Sequence, residues 1–300
     1  MLYIHYNPNS GHGAESAAEL KSLLVESGTP YSILHADTPA DPSGLTADDS
    51  VILIGGDGSI NRFVNMIPAD FPAPILLMPS GSGNDFARGT GIRKGAANVL
   101  SAYGPGSSVR RLDTGVAQPA GYAPKNFTVS CGIGYDAAVC HMINAGRLKK
   151  RLSPYGLGTI AYILNGIKGI FTYKRANAWL TLPDQRIRLK NLAFLSCHCL
   201  PYEGGGFAFA PDADPCDGKI DITAVTAANR FLFFLTLAAS LFRLHVKLPW
   251  VYTCRCRAAK ITVDTPLAFH TDGEVTRNVT SFKVKAIPGF LPVRFAPGKD

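Results

Sequence analysis

One device, used three times in the first third of this chain, constrains its fold more than any other feature. Leu2 to Tyr6 runs into Asn7-Pro8-Asn9-Ser10-Gly11, Val51 to Ile54 into Gly55-Gly56-Asp57-Gly58-Ser59, and Ile75 to Met78 into Pro79-Ser80-Gly81-Ser82-Gly83. Short apolar runs bounded by turn residues read as buried strands. Between them, Ala14 to Ser27 carries Ala17, Leu20 and Leu24 at helical spacing, with Gly28 as a stop. Tyr31 to His35 reads as another strand, and Ile60 to Met66 as a helix. This alternation predicts an α/β domain with a parallel sheet. Ligands of such sheets bind beyond the carboxyl ends of the strands, so the three turns locate a site before any chemistry is assigned.

From about residue 113 strand-like runs dominate: Asn126 to Cys131, Ala178 to Leu182, Leu192 to Cys199, Ile220 to Val225, Lys260 to Val263 and Phe282 to Ala286. Two helical segments interrupt them, Pro154 to Phe171 and Asn229 to Leu244, the second with Asn229 as its N-cap. The expected organisation is a nucleotide-binding-type α/β domain over residues 1–115 and a β-rich, sandwich-like domain over 116–300. The last strand is free to return to the first domain.

Net charge is +8, from 30 Lys+Arg against 22 Asp+Glu, which favours partners that carry phosphate. The N-terminus lacks a basic start and a long apolar stretch, so it does not read as a signal peptide. The most apolar run, Phe231 to Phe242, is too short for the ~20 residues of a bilayer span. These features, with seven cysteines in no pairing ladder, predict a cytoplasmic chain with reduced thiols. Cys197/Cys199 and Cys254/Cys256 read as buried thiols on strand faces rather than metal ligands.

The turns carry specific chemistry. Glycines let the backbone approach a phosphate, and their N–H groups can cradle it. Asp57, in the middle of one such turn, would repel phosphate unless a cation lies between them. It therefore suits a magnesium ligand, or a base near an attacking hydroxyl. The alternative is a tight turn with a capping Asp. Asn84 and Asp85 read as the start of a helix after the Pro79 turn, where free N–H groups favour anions. Asp85 there is either a first-turn acid or a direct participant. Asp272-Gly273-Glu274, read alone, is a hairpin turn.

Taken in order, NPNSG, GGDGS, PSGSGNDFAR and DGE resemble the diacylglycerol kinase catalytic family, which includes sphingosine and ceramide kinases and compact bacterial lipid kinases. The likeness runs across almost the whole chain, and its minimal length resembles the bacterial branch. It implies a first domain akin to phosphofructokinase and NAD kinase, a β-sandwich-like second domain, and ATP in the cleft between them. It places ATP on Asn7, Pro8, Asn9, Ser10 and Gly11, on Thr38, on Gly55, Gly56, Asp57, Gly58, Ser59, Ile60 and Asn61, and on Ser82, Gly83, Asn84 and Asp85. It makes Glu274 the general base on a lipid hydroxyl, with Asp272 and Asp57 in a magnesium-linked catalytic network. Ser59 and Ser82 stand where threonine is usual and keep the hydroxyl. The resemblance also implies a structural magnesium held by Asp217 and by the carbonyls of Asp214 and Lys219. There Cys216 replaces an aspartate and is a poor ligand for a hard cation.

The implied activity is phosphoryl transfer from ATP to a lipid alcohol, with diacylglycerol, giving phosphatidic acid, as the default. A sphingoid base, a soluble acceptor such as NAD, and a non-catalytic homologue are the alternatives. The expected partner is lipid at an anionic membrane surface, through Arg147, Lys149, Lys150 and Arg151. Peripheral association follows, and a homodimer is compatible with the sequence. The Phe231 to Phe242 helix is expected to pack under the sandwich. Basic residues outside the one cluster are scattered rather than striped with aromatics, which argues against nucleic acid.

Overall fold

A computed structural model of the chain describes residues 1–7, 13–35, 44–145, 166, 168–227 and 229–298. Pro8, Asn9, Ser10, Gly11 and Thr38, the Arg147–Arg151 cluster and most of the Pro154 to Phe171 segment lie outside them.

Four strands, β1 (Leu2–Tyr6), β2 (Tyr31–His35), β3 (Ser50–Gly55) and β4 (Ile75–Pro79), pair in parallel in the order β4-β3-β1-β2. β3 and β4 are buried along their whole length, as strands covered on both faces must be. On one face α1 (Gly13–Glu26) and α4 (Ala96–Tyr103) bring Leu20, Leu24 and Val99 against Ile4, Ile52 and Leu76. On the other, α2 (Asp57–Val64) and α3 (Asp85–Thr90) bring Ile60, Phe63 and Phe86 against Val51, Leu53 and Leu77.

The second unit is antiparallel. Its central strands are β7 (Ser130–Gly134), β10 (Phe194–His198), β11 (Ile220–Val225), β12 (Val251–Cys256), β13 (Ala258–Thr271) and β14 (Glu274–Phe295), in the order β12-β11-β10-β7-β13-β14. β8 (Ala176–Thr181) and β9 (Arg186–Leu192) extend from β13, and β5 (Ser108–Pro119) and β6 (Lys125–Phe127) from β14. A register shift between Thr262 and Leu267 lets β13 change neighbours, pairing with β8 over Lys260–Val263 and with β7 over Phe269–Thr271. Strands that turn a sandwich corner do so at such irregularities. Phe127, Phe269, Phe282 and Leu195 fill the core.

β14 does return to the first unit: Val293 pairs in parallel with Ile75 of β4. β5 pairs with β14 from Phe282↔Pro119 to Phe295↔Ser108, so two long strands run through both units, and the division at residue 115 falls inside β5. The expected strand Asn126 to Cys131 is broken into β6 and β7, because the N–H groups of Thr128 and Val129 turn to the Asp272 carboxylate. Helix α5 (Tyr135–Ala145) follows β7, and α6 (Arg230–Leu241) is capped as expected by Asn229, whose side chain accepts from Leu232 N–H at 2.9 Å. The cysteines are free, with Cys131, Cys197 and Cys199 buried. No helix among the described residues is long and apolar enough to cross a membrane.

Candidate active site

The two glycine turns of the first unit are built against each other. A Cβ on Gly81 would lie 2.6 Å from the Gly56 Cα, and one on Gly56 2.8 Å from the Gly81 Cα, so neither position accepts a side chain. Asn84 holds the second turn from a left-handed conformation (φ 51°), a region Asn tolerates well. Its Oδ1 accepts from Gly81 N–H at 3.0 Å and its Nδ2 donates to Gly81 O at 2.5 Å. Asp57 then fastens the turns together: Oδ2 accepts from Asp85 N–H (3.1 Å) and Oδ1 from Phe86 N–H (2.9 Å). The Asp at the start of α2 thus caps α3, a favourable place for a carboxylate.

Facing these turns across a cavity of about 350 Å³ are the β13–β14 hairpin and the Glu203–Gly206 turn. Of the residues placed there by sequence, Gly56, Asp57, Gly58, Ser82, Gly83, Asp85, Asp272 and Glu274 line the cavity. Asn7, Gly55, Ser59, Ile60, Asn61 and Asn84 do not. Gly55 lies within β3, and the Ser59 side chain folds back over it. Ile60 is a core residue, and Asn84 is committed to its own turn.

Asn61 and Asp272 need correction. Asn61 Nδ2 donates to Asp272 Oδ2 (2.9 Å) and to Asn126 O (3.0 Å), which ties α2 to the second unit rather than to a phosphate. Asp272 accepts five hydrogen bonds in all. The others come from Thr128 N–H (2.7 Å), Thr128 Oγ1 (3.0 Å), Val129 N–H (3.0 Å) and Ser130 N–H (2.9 Å). So saturated, it is a structural clasp and has no lone pair left for catalysis. Glu274 differs. Its carboxylate is 49% exposed, and its one hydrogen-bond partner among the described residues is the Lys125 ammonium.

Burial and the adjacent Asp57 charge push the Asp85 carboxyl up to about 7, although Gly205 N–H (2.8 Å) and Arg88 stabilise its ionised form. Two close acids on the cavity wall, one of them reluctant to ionise, suit a divalent cation. Both carboxylates lie beside Gly83, where a Cβ would be 3.1 Å from Asp57 Oδ2 and 3.6 Å from Asp85 Oδ2.

Sequence reasoning missed a buried group behind the hairpin. His270 Nε2 lies 3.2 Å from both Asp136 Oδ2 and Glu203 Oε1. Burial alone would raise Glu203, but His270 and His198 bring it down to about 2. Burial opposes a charged His270 too, yet the two carboxylates outweigh it and hold the ring well above the ordinary histidine range. The three side chains could hold a metal by spacing. The Nε2 hydrogen already fills that position, and a charged ring offsets one of the two carboxylates while burial pushes Asp136 up, so they read as a buried ion-pair cluster. Gly273 N lies 3.3 Å from His270 Nδ1, so the ring sits against the Glu274 turn. Two signals were in the sequence: His270 stands two residues before Asp272 in the motif, and Glu203 precedes three glycines.

The structural magnesium site does not fit its residues. Asp217 Oδ1 accepts from Lys219 N–H (2.9 Å), and the Asp214 carbonyl lies 3.5 Å from Asp217 N. Asp217 Oδ2 faces the Arg255 guanidinium at 3.5 Å. Arg255 also pairs with Asp221 (3.0 Å) and donates to Asp212 O (2.5 Å). A resident side-chain cation serves where the metal was expected.

Paired glycine turns on a parallel sheet, closed by a sandwich that presents the Lys125-paired Glu274 carboxylate, define a two-domain protein of α/β and β-sandwich units with a cavity between them. Residues 1–117 match the profile of the diacylglycerol kinase catalytic domain, and 129–295 that of the YegS C-terminal NAD kinase beta sandwich-like domain. The chain belongs to the diacylglycerol kinase catalytic-domain family, a family of lipid kinases. It is 25% identical over 281 residues to the diacylglycerol kinase of Bacillus subtilis (strain 168), covering 90% of this chain and 88% of that one. It is 26% identical over 304 residues to the diacylglycerol kinase of Mycobacterium tuberculosis (strain ATCC 25618 / H37Rv), covering 96% and 92%. The crystal structure of a diacylglycerol kinase from Bacillus anthracis str. Sterne matches with a TM-score of 0.69 at 17% identity, over 99% of this chain and 97% of that one. That likeness bears on the fold.

Proposed function

We propose that the chain transfers the γ-phosphate of ATP to the hydroxyl of a lipid at an anionic membrane surface, with diacylglycerol as acceptor and phosphatidic acid as product. One observation carries the reading. Of the carboxylates around the cavity, Asp57, Asp85 and Asp272 are each committed to backbone N–H groups, and Glu203 to His270. Glu274 alone stands half-exposed at the cavity rim, held by a mobile type of partner, a lysine ammonium.

The N–H groups of Gly56–Gly58 and of Ser82 and Gly83, at the cavity wall, suit a phosphate cradle. Asp57 and Asp85 would hold a magnesium ion, which when bound neutralises phosphate charge. Glu274 accepts the proton of the lipid hydroxyl as that oxygen bonds to the γ-phosphorus and the bond to the bridging oxygen of ADP breaks. Lys125 orients Glu274 through their ion pair. The test is a labelled-ATP assay against a total lipid extract supplemented with NAD. Label in a lipid product supports the proposal; label in NADP, or in no product, overturns it.

A further inference from the structure

The outward face of α6 is unlike that of an ordinary surface helix. Phe233, Thr236, Leu237 and Ser240 point inward and are buried. The opposite arc carries Phe231, Phe234, Leu235, Leu241 and Phe242, with exposures of 67% at Phe231, 51% at Phe234 and 73% at Phe242. A helix packed on one side should be polar on the other, and this one has no charge along its exposed arc beyond Arg230 at its first position. The sequence expectation that this segment packs under the sandwich therefore holds for only half its surface. Phe171, exposed as well, adjoins the face: Arg230 lies over its ring and donates to its carbonyl at 3.0 Å.

We propose that this face of α6 is where the protein docks on an anionic lipid bilayer. The choice of occupant rests on the lipid kinase reading, and three observations support it. The first is charge. No Asp or Glu stands between Asp136 and Asp184 or between Asp221 and Asp264, the two stretches that build this face. Arg230 and Arg243 flank the helix, and Lys168, Lys174 and Lys247 are exposed nearby in sequence. An apolar strip rimmed by cations is the pattern of a segment that lies in the interface of an anionic leaflet. The second is self-repulsion: a second copy would bring one cationic rim against another, which disfavours a dimer through this face. The third is continuity with the cavity. Phe233 packs edge-on against Tyr135 at 4.7 Å, the residue before Asp136 on α5, and Cys140 of that helix lines the cavity. Ser240 O accepts from Ala208 N–H (3.2 Å), just beyond the Glu203–Gly206 turn that also lines it. A bilayer seated on α6 is thus one aromatic layer from the site that must receive its lipid.

The experiment is co-flotation of the full chain with phosphatidylcholine vesicles, with and without phosphatidylglycerol. The parent should float with the phosphatidylglycerol vesicles. F234Q/F242Q should bind them at least tenfold more weakly with an unchanged circular dichroism spectrum. R230Q/R243Q should lose the preference for phosphatidylglycerol. Phosphorylation of long-chain diacylglycerol in vesicles should fall about tenfold in F234Q/F242Q, while turnover on a short-chain, water-soluble diacylglycerol stays as in the parent. A Phe234→Trp variant gives an independent reading, since the emission of the introduced indole should shift to the blue on addition of these vesicles. Undiminished flotation of F234Q/F242Q, or an unshifted emission from the Phe234→Trp variant, overturns the proposal. So does a parent dimer that becomes monomeric in F234Q/F242Q with flotation unchanged, which would assign the face to a second copy. The kinase reading fails separately: a chain that floats through this face yet phosphorylates no lipid keeps the docking surface and loses the activity.

Discussion

Asn61 Nδ2 lies 2.9 Å from Asp272 Oδ2, a hydrogen bond between residues 211 positions apart that joins the first glycine turn's helix to the catalytic hairpin. Beside the β5 and β14 strands that run through both units, it ties the two walls of the cavity together through a half-buried carboxylate. Asp272→Asn should therefore act on stability first. An amide cannot accept all five donors, and one of its own hydrogens must face another donor. Leaving some of these donors unpaired costs ~1–3 kcal/mol, and Asn61→Ala should cost a similar amount. Urea unfolding of both variants measures this. An Asp272→Asn protein as stable as the parent would show that the clasp is not holding the halves together.

Glu274→Gln should give the opposite profile. The side chain is half-exposed and, among the described residues, carries no structural hydrogen bond besides the one to Lys125, so melting should be unchanged. Turnover should fall by ~100-fold or more, the scale for a positioned base. Lys125→Met should lower turnover by about tenfold through loss of orientation, again within the range for such groups. Steady-state kinetics beside melting curves would expose the error if Glu274→Gln kept its activity.

Asp85 should leave a signature in the pH dependence of stability. Its folded value is raised to about 7, against 3.8 for the free side chain, so from roughly pH 4 to pH 7 the folded state holds a proton that the unfolded chain has released. Folding stability from this group is complete below pH 4 and is lost as pH rises towards 7, by at most about 1.4 kcal/mol per unit. Asp85→Asn keeps an acceptor for Gly205 N–H and cannot ionise. The difference in stability, variant minus parent, should climb between pH 4.5 and 7 in the presence of a chelator. A flat difference would mean that Asp85 is ionised throughout.

Arg255 should make the Asp217 loop independent of metal. A chelator is expected to leave the parent's melting temperature unchanged. Arg255→Leu should destabilise by ~1–2 kcal/mol, a modest figure because the guanidinium is partly exposed. Combining Arg255→Leu with Cys216→Asp should restore stability only when magnesium is added. Stoichiometric magnesium retained by the chelator-dialysed parent would return the site to a metal.

What the sequence determined by itself is local. The strand that ends in Gly55-Gly56, the turn at Pro79 to Gly83 and the hairpin at Asp272-Gly273 are set by backbone permissiveness over a few residues, so their glycines and apolar runs could be read directly. Their order along the chain sufficed for the resemblance to a lipid kinase, and that family membership stands. The use of each carboxylate was decided only by the tertiary structure. Asp57, Asp272 and Glu274 look equally fit for chemistry in the sequence, yet Asp57 caps α3, Asp272 is consumed by five donors, and Glu274 stays free of backbone partners. Glu203 and His270, 67 residues apart, and Arg255 beside Asp217 gain their roles only when distant strands bring the charges together in a buried or half-buried setting. Charge pairing acts through distance and burial, and neither is encoded in the spacing of residues along a chain. The apolar face of α6 follows the same division: the composition of Phe231 to Phe242 was plain, but which side of it met the core was settled by packing against Tyr135 and Phe194.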